Sequence, residues 1–476
     1  MKNNRLRATR TVAALGAVAL LAAACNGGET TEDPADNGAT EGDGEAVTLT
    51  IMTNAIAGGK NAAEAEWIEG WLIPGFTEAK ADEGVDVTVT FEPQGVDDED
   101  YKTKLALDLS TGGGADIVGI DGIWVGEFAQ AGYIQPLDQV ASNIDDWDGW
   151  DQIPEAVQNA LSFEGERYGV GQGADGRVIY YNKELFEEAG LPAEWQPTSW
   201  DEVLEASRTL QENLDGVTPI QLNAGTAMGE ATTMQGLLPI LMGTGQELWE
   251  NDMWYGDTQG LRDALELYKT IYVDEELGDA ILQQEAAGRD TSFQEFAAGN
   301  IAILLEGDYF WRSVINPEEG VGTAPMDNRE EAVGYVKIPA QNPGSGVEGR
   351  DFVSMSGGTG RVLNPNSANP DLAWELLTFM NSPEAFEARA AGTLSISPRD
   401  DVNAKLLAGE PMLTFVSEEV LPISSYRPGL AEYPEVSAAL QQATLDVVTG
   451  TSVEDAAAAF HDTLVGIVGE ENVASN

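Results

Sequence analysis

Residues 47–91 restrict the fold more than any other part of this chain. Val47-Thr-Leu-Thr-Ile-Met-Thr53 and Val85-Asp-Val-Thr-Val-Thr-Phe91 alternate apolar and polar residues and are rich in β-branched side chains, the mark of strands, while residues 62–79 between them carry helical spacing. Together they read as a β-α-β unit. The alternation continues with a helix at 101–110, stopped by Gly112-Gly113-Gly114, and a buried strand, Asp116-Ile-Val-Gly-Ile120. The triple glycine is too irregular for a phosphate loop and serves as a helix stop and turn. Strands follow at 178–181 and 301–305, with amphipathic helices at Trp200–Asn213, 260–273, Pro370–Met380 and Val453–Val468. No repeat of 20 to 50 residues runs through the chain. The length beyond Val47 suits two domains of α/β class.

The N-terminus sets the compartment. Lys2, Arg5, Arg7 and Arg10 form a basic region, residues 12–21 an apolar run too short to span a bilayer comfortably, and Ala22-Ala23-Ala24 a small-residue cleavage site. Residues 1–24 therefore read as an export signal. Leu21-Ala-Ala-Ala-Cys25 resembles the lipobox of bacterial lipoproteins, which implies that Cys25, the only cysteine, is lipidated and becomes the mature N-terminus. The alternative is a plain secretory signal beside an incidental cysteine. Residues 26–46, with Gly27-Gly28, Thr30-Thr31, many acids and no large apolar side chain, read as a disordered tether, so residues 25–46 would hold the body at the outer face of the cytoplasmic membrane.

The chain has 24 Lys and Arg against 81 Asp and Glu, and removing the four basic residues of the signal takes the net charge from −57 to −61. Acids are dispersed through the whole body. That pattern fits a surface adapted to high salt, where the Debye length shrinks to about 3 Å at 1 M. It excludes nucleic acid as a partner. With Cys25 committed as an anchor, no disulfide, CxxC or thiolate metal site remains, and no metal or cofactor is expected. The single histidine, His461, lies on a helical pattern near the C-terminus, with no Gly-x-Ser-x-Gly to make it a triad base. Paired carboxylates, as in a glycoside hydrolase, are the enzyme route left open.

Several phrases in order resemble one family. Leu105-x-x-Asp-Leu109-Ser-Thr-Gly-x-x-x-Ala115-Asp116-Ile-Val is followed by Trp124-Val-Gly-Glu127-Phe-Ala-Gln-Ala-Gly132-Tyr-Ile-Gln-Pro-Leu137-Asp138. Then come Tyr180-Tyr-Asn182-Lys183-Glu-Leu185-Phe186-Glu-Glu-Ala-Gly190-Leu-Pro192, Pro197-Thr-Ser-Trp200-Asp201-Glu, Phe296-Ala-Ala-Gly299-Asn-Ile-Ala302, Ser356-Gly-Gly-Thr-Gly360 and Asn369-Pro-Asp-Leu-Ala373-Trp374-Glu375. They resemble the family 1 extracellular solute-binding lipoproteins of ABC importers, of maltose-, trehalose- and oligosaccharide-binding type. The resemblance implies a two-lobed, periplasmic-binding-protein-like α/β fold, with hinge-linked lobes closing on a solute in the cleft between them. The N-terminal lobe would comprise residues 47–172 and 347–385, the C-terminal lobe residues 173–346 and 386–476. The function implied is capture of a neutral sugar or oligosaccharide and its delivery to an ABC permease, by a monomer and without catalysis. Polyols, glycerol phosphate, a sensing role and an extracellular glycoside hydrolase are the alternatives.

For a sugar, aromatic faces should pack against C–H surfaces while polar groups meet hydroxyls. The resemblance puts Trp124, Asp175 and the loop Glu306-Gly-Asp308-Tyr309-Phe-Trp311 against ligand, with Asn54, Lys60, Gly357, Gly358 and Tyr433 as further candidates. Each competes with a structural role: Trp124 with lobe packing, Asp175 with membership of an acidic surface. Trp249 and Trp254 suit a helix-to-hairpin corner. Around 226–245 the chain places small and sulfur-containing residues where relatives often present an aromatic and an acid. No cluster of arginines is visible in the sequence, which argues against a phosphate ester.

Overall fold

The alternating runs pair into two main sheets. In the computed structural model, which describes residues 47–474 apart from 97, 320, 392 and 393, the first sheet has the order Val87–Pro93, Val47–Thr53, Ile117–Asp121, Thr359–Leu363, Gly169–Gly171. Its first three strands are parallel, with Val47 opposite Val87 and Ile51 opposite Ile117. Thr359–Leu363 runs antiparallel to both neighbours. The crossover between the first two strands is a helical run, Ala62–Trp67, Ile68–Leu72 and Ile73–Asp82, with a π-helical middle. The export signal at 1–24, Cys25 and the tether at 25–46 lie outside the described residues.

The second sheet has the order Val333–Val336, Arg177–Asn182, Ile301–Gly307, Thr218–Gln221. Arg177–Asn182 is antiparallel to both neighbours, and Ile301–Gly307 is parallel to Thr218–Gln221. A small third sheet joins Ile338–Pro339, Phe352–Met355 and Ser424–Ser425. Between the sheets the chain passes through short segments: residues 172–176 lead from Gly169–Gly171 to Arg177–Asn182, and Ser356, Gly357 and Gly358 lead from Phe352–Met355 to Thr359–Leu363. Each main sheet with its helices forms one of two lobes.

Side chains alternate between opposite faces of both sheets, and both faces are covered. Leu49 and Ile51 join a cluster with Ile68, Phe76 and Leu377, whereas Met52, Val118 and Ile120 pack on the other side with Leu105 and Phe128. Ile179 and Tyr181 face the helices Trp200–Asn213 and Gln259–Lys269, while Val178 and Tyr180 face Phe310 and Val416. Each buried Leu or Ile contributes roughly 1.5–3 kcal/mol.

Local chemistry sets the element ends. Ser199 and Ser452 accept the N–H of Glu202 and Asp455, capping Trp200–Asn213 and Val453–Val468 at the expected boundaries, and Pro370 opens Pro370–Met380. The strand expected at 85–91 lies two residues later, at Val87–Pro93, and the helix expected at 101–110 begins earlier, at Asp98–Ser110. The helix expected at 260–273 is Gln259–Lys269 continued by a π-helical turn, Thr270–Asp274. Trp249 and Trp254 face each other across a hairpin whose turn, Asn251-Asp252, has φ of 52° and 62°. No described helix is long and apolar enough to cross a membrane.

Candidate functional site

The carboxyl ends of the parallel strands point toward the crossings, and a cavity of about 640 Å³ opens there. Its wall is assembled from distant segments. Asn61 and Glu64 come from the start of the crossover helix and Asp121 from the end of its strand. Gln172, Asp175 and Arg177 come from one crossing, and Gly357 and Gly358 from the other. Arg312 follows the strand Ile301–Gly307, Arg389 lies on the helix Pro383–Ala390, and Arg427 follows Ser424–Ser425.

Charges in this wall are largely tied to one another. Arg177 Nη1 donates to Asp175 Oδ1 at 2.6 Å and to the Met355 carbonyl at 3.3 Å, and the Gly357 N–H donates to the same Asp175 oxygen at 2.6 Å. Burial works to raise the Asp175 pKa, yet the Arg177 charge and the Gly357 N–H outweigh it and hold the carboxyl below the ordinary aspartate value. Arg427 bridges two segments: Nη2 donates to Asp121 Oδ1 at 3.2 Å and Nη1 to Glu230 Oε1 at 3.3 Å. Glu230 also accepts from the Tyr433 hydroxyl at 2.5 Å and from Ser437 Oγ at 2.6 Å. Burial raises the Asp121 pKa, and Arg427 only partly offsets it.

Behind the wall, Arg312 Nε donates to Asp308 Oδ2 at 3.1 Å, and the fully buried Asp308 is pushed up by desolvation. Glu306, also fully buried, accepts two bonds from Arg289 at 3.0 and 2.9 Å, one from Asn223 Nδ2 at 2.9 Å and one from the Tyr309 hydroxyl at 2.8 Å. Arg361 Nη2 donates to Glu64 Oε1 at 2.8 Å; burial pulls this arginine down to about 10, which leaves it charged at neutral pH. Arg389 Nη1 donates to the Gln172 carbonyl at 2.9 Å, and among the described residues no carboxylate pairs with it. No described group of three or more His, Cys, Asp or Glu residues is placed to hold a metal ion.

Of the residues singled out in the sequence, Asp175, Gly357 and Gly358 reach the cavity wall. The others sit elsewhere. Trp124 is 6% exposed and packs against Tyr101 beneath the first sheet, because the turn Gly122–Trp124, capped by Asp121, carries its ring back under the strand ends. Trp311 is buried against Tyr335 and under Arg329. Tyr309 is half-buried and bonded to Arg289 and Glu306. Asn54 and Lys60 both donate to the Val96 carbonyl and to Asp98, stapling two loops together. Tyr433 is buried and holds Glu230. None of the described residues lining the cavity is aromatic.

The expectation that arginines do not cluster is corrected by the fold: Arg177, Arg312, Arg389 and Arg427 converge on one cavity. Sequence reasoning passed over all four, together with Glu64 and Asp121. The one available signal was scarcity, since only twelve arginines occur from residue 47 onward.

Residues 60–385 match the family described as bacterial extracellular solute-binding protein. The chain belongs to this family. A binding protein of Brucella abortus (strain 2308) is 25% identical over 417 residues, 86% of this chain and 92% of its own length. The arabinooligosaccharide-binding protein of Halalkalibacterium halodurans is 26% identical over 256 residues, 52% of this chain and 51% of its own. Among solved structures, an ABC transporter solute-binding protein from Thermotoga lettingae bound with α-D-tagatose has a TM-score of 0.66 at 23% identity, covering 89% of this chain and 100% of that one. At that identity the likeness establishes the shared two-lobed fold. Family membership makes this an exported solute-binding protein and not an enzyme.

Proposed function

We propose that this protein captures a carbohydrate, or a solute of similar hydroxyl density, in the cleft between its lobes and hands it to the membrane permease of an ABC importer. The cavity of about 640 Å³ carries the reading: it lies at the crossings and takes its wall from both sheets, so one bound solute touches both sides. The volume falls in the range of small-molecule sites, roughly 300–1,000 Å³. Binding energy gained across two lobes favours the closed arrangement over the open one, and the permease reads that difference. Tagatose in one relative of this fold and arabinooligosaccharide in the name of another support a sugar-like ligand. Asp175 and the Gly357-Gly358 segment are the sequence-derived residues assigned to solute contact. Lipidation at Cys25 would keep the monomer near its permease.

A thermal-shift and X-ray scattering screen of mono-, di- and oligosaccharides and polyols tests the binding step. A ligand at a hundredfold excess over Kd contributes about 2.7 kcal/mol, which for a chain of this size is a Tm rise of about 3 °C. Closure would lower the radius of gyration at the same time. Absence of both responses across the whole panel would sink the carbohydrate reading. Loss of uptake of the bound solute on deletion of the gene tests delivery.

A further inference from the structure

Charge is not distributed over the cleft as it is over the rest of the molecule. Four of the twelve arginines found from residue 47 onward line this one cavity, in a chain where 81 acids face 24 bases. The lining carboxylates are three, Glu64, Asp121 and Asp175. Asp175 is taken by Arg177 at 2.6 Å and Asp121 by Arg427 at 3.2 Å, while Glu64 is engaged by Arg361, which lies behind the wall. The carboxylate that pairs with Arg312, Asp308, is fully buried and is not part of the wall. Arg389 thus faces the cavity with no carboxylate partner among the described residues, while Arg312, which reaches the same wall, is already paired with Asp308 behind it. Arg177, 6% exposed, has in addition an Nε with no hydrogen-bond partner.

A guanidinium held in a partly desolvated wall is stabilised when a counter-charge arrives, and its planar fork matches a carboxylate or phosphate by paired hydrogen bonds. The wall also has no aromatic ring on which the apolar face of an uncharged sugar could stack, so affinity there must come from polar contacts. We propose that the solute is an acidic one, a polyhydroxylated body bearing an oxyanion, and that Arg389 binds that oxyanion, with Arg312 on the same wall as a second donor. This rests on the capture of a small solute in the cleft and replaces a neutral sugar with an anionic one. The Gln172 carbonyl, by accepting from Arg389 Nη1 at 2.9 Å, fixes the guanidinium at the crossing, where a solute bridging the lobes must pass.

Calorimetric titration of the full-length chain with matched pairs decides it: galacturonate against galactose, glucuronate against glucose, glucose 6-phosphate against glucose, and malate as an acid without a sugar ring. The acidic member should bind at least thirtyfold tighter than its neutral counterpart, and whichever of the uronate and phosphate arms responds names the oxyanion. Arg389→Gln should weaken the acid tenfold or more and Arg389→Lys should recover part of the loss, with Arg312→Gln as the second variant should the first fail to fold. A neutral sugar binding as tightly as its acid overturns the oxyanion and leaves solute capture standing. Malate binding without any sugar acid keeps the oxyanion and overturns the carbohydrate body. Silence from every compound overturns both, and an unchanged acid affinity in correctly folded Arg389→Gln and Arg312→Gln overturns the assignment to these arginines.

Discussion

Replacing Arg427 with methionine keeps most of the side-chain volume and removes the one group that joins Asp121, at the end of a first-sheet strand, to Glu230, on the helical segment after Thr218–Gln221. At an effective dielectric constant near 20, each contact at 3.2 to 3.3 Å represents about 5 kcal/mol of Coulomb attraction. Most of that is cancelled by the cost of taking the guanidinium out of water. The carboxylates are 30% and 34% exposed, which weakens the contacts further. Glu230 keeps the Tyr433 and Ser437 hydroxyls after the substitution, and Asp121 keeps the Ile123 N–H, so neither acid is left without a donor. The net loss should be about 2 kcal/mol. With an unfolding entropy near 2.1 cal/mol/K per residue, a body of roughly 430 residues loses about 2 °C in Tm. Calorimetry reads that shift, and X-ray scattering of the unliganded protein should show a larger radius of gyration, since the bridge ties segments of both lobes. A Tm within about half a degree of wild type, with unchanged scattering, would refute the reasoning and make the bridge electrostatically idle.

Three further outcomes follow from the same geometry. The folded-state pKa of Asp175 lies below its unfolded value, so its contribution is present above about pH 4 and is lost as pH falls through the folded pKa. Asp175→Asn should therefore melt below wild type at pH 7, by about 1–2 kcal/mol, and the gap should close as pH falls through the folded pKa; a gap that stays unchanged in acid would show that the charge is not what matters. A Cβ on Gly126 would lie 1.3 Å from the Gly429 carbonyl oxygen, so Gly126→Ala should cost about 1–3 kcal/mol and speed hydrogen exchange at 426–430; wild-type exchange there would show that the contact is not tight. Trp124→Leu should lower stability by about 1–3 kcal/mol while leaving solute Kd within about twofold, whereas a tenfold rise in Kd would put the ring in contact with solute.

Elements whose limits are set by local chemistry were legible in the sequence. Trp200–Asn213 and Val453–Val468 each begin after a serine that caps them, and Pro370 can only stand in a first helical turn, so spacing and caps agree. The strand at Val87–Pro93 was misplaced by two residues because Val85 continues the alternation without joining the ladder, which starts at Val87 opposite Val47. The cavity was legible only where the chain crosses between sheets, at Asp175 and Gly357-Gly358. Arg177, Arg312, Arg389 and Arg427 are brought together by tertiary folding alone, and no local pattern links positions so far apart. Trp124 misled because position after a strand end does not say which way a short turn rotates the side chain, and here the turn turns inward.

The connections at 172–176 and 356–358 are five and three residues long. Fully drawn out, such lengths reach only about 18 and 11 Å, and both ends of each are pinned in hydrogen-bonded strands. Neither link has slack to let one sheet slide past the other. The chain also passes back between Pro383–Ala390 and Tyr433–Val448, and under the proposed closure a swing near these links would open the cleft widest on the rim farthest from them. A solute captured in this way would enter and leave over that rim, and the residues beside the links, Arg389 and Asp175 among them, would move least while it does so.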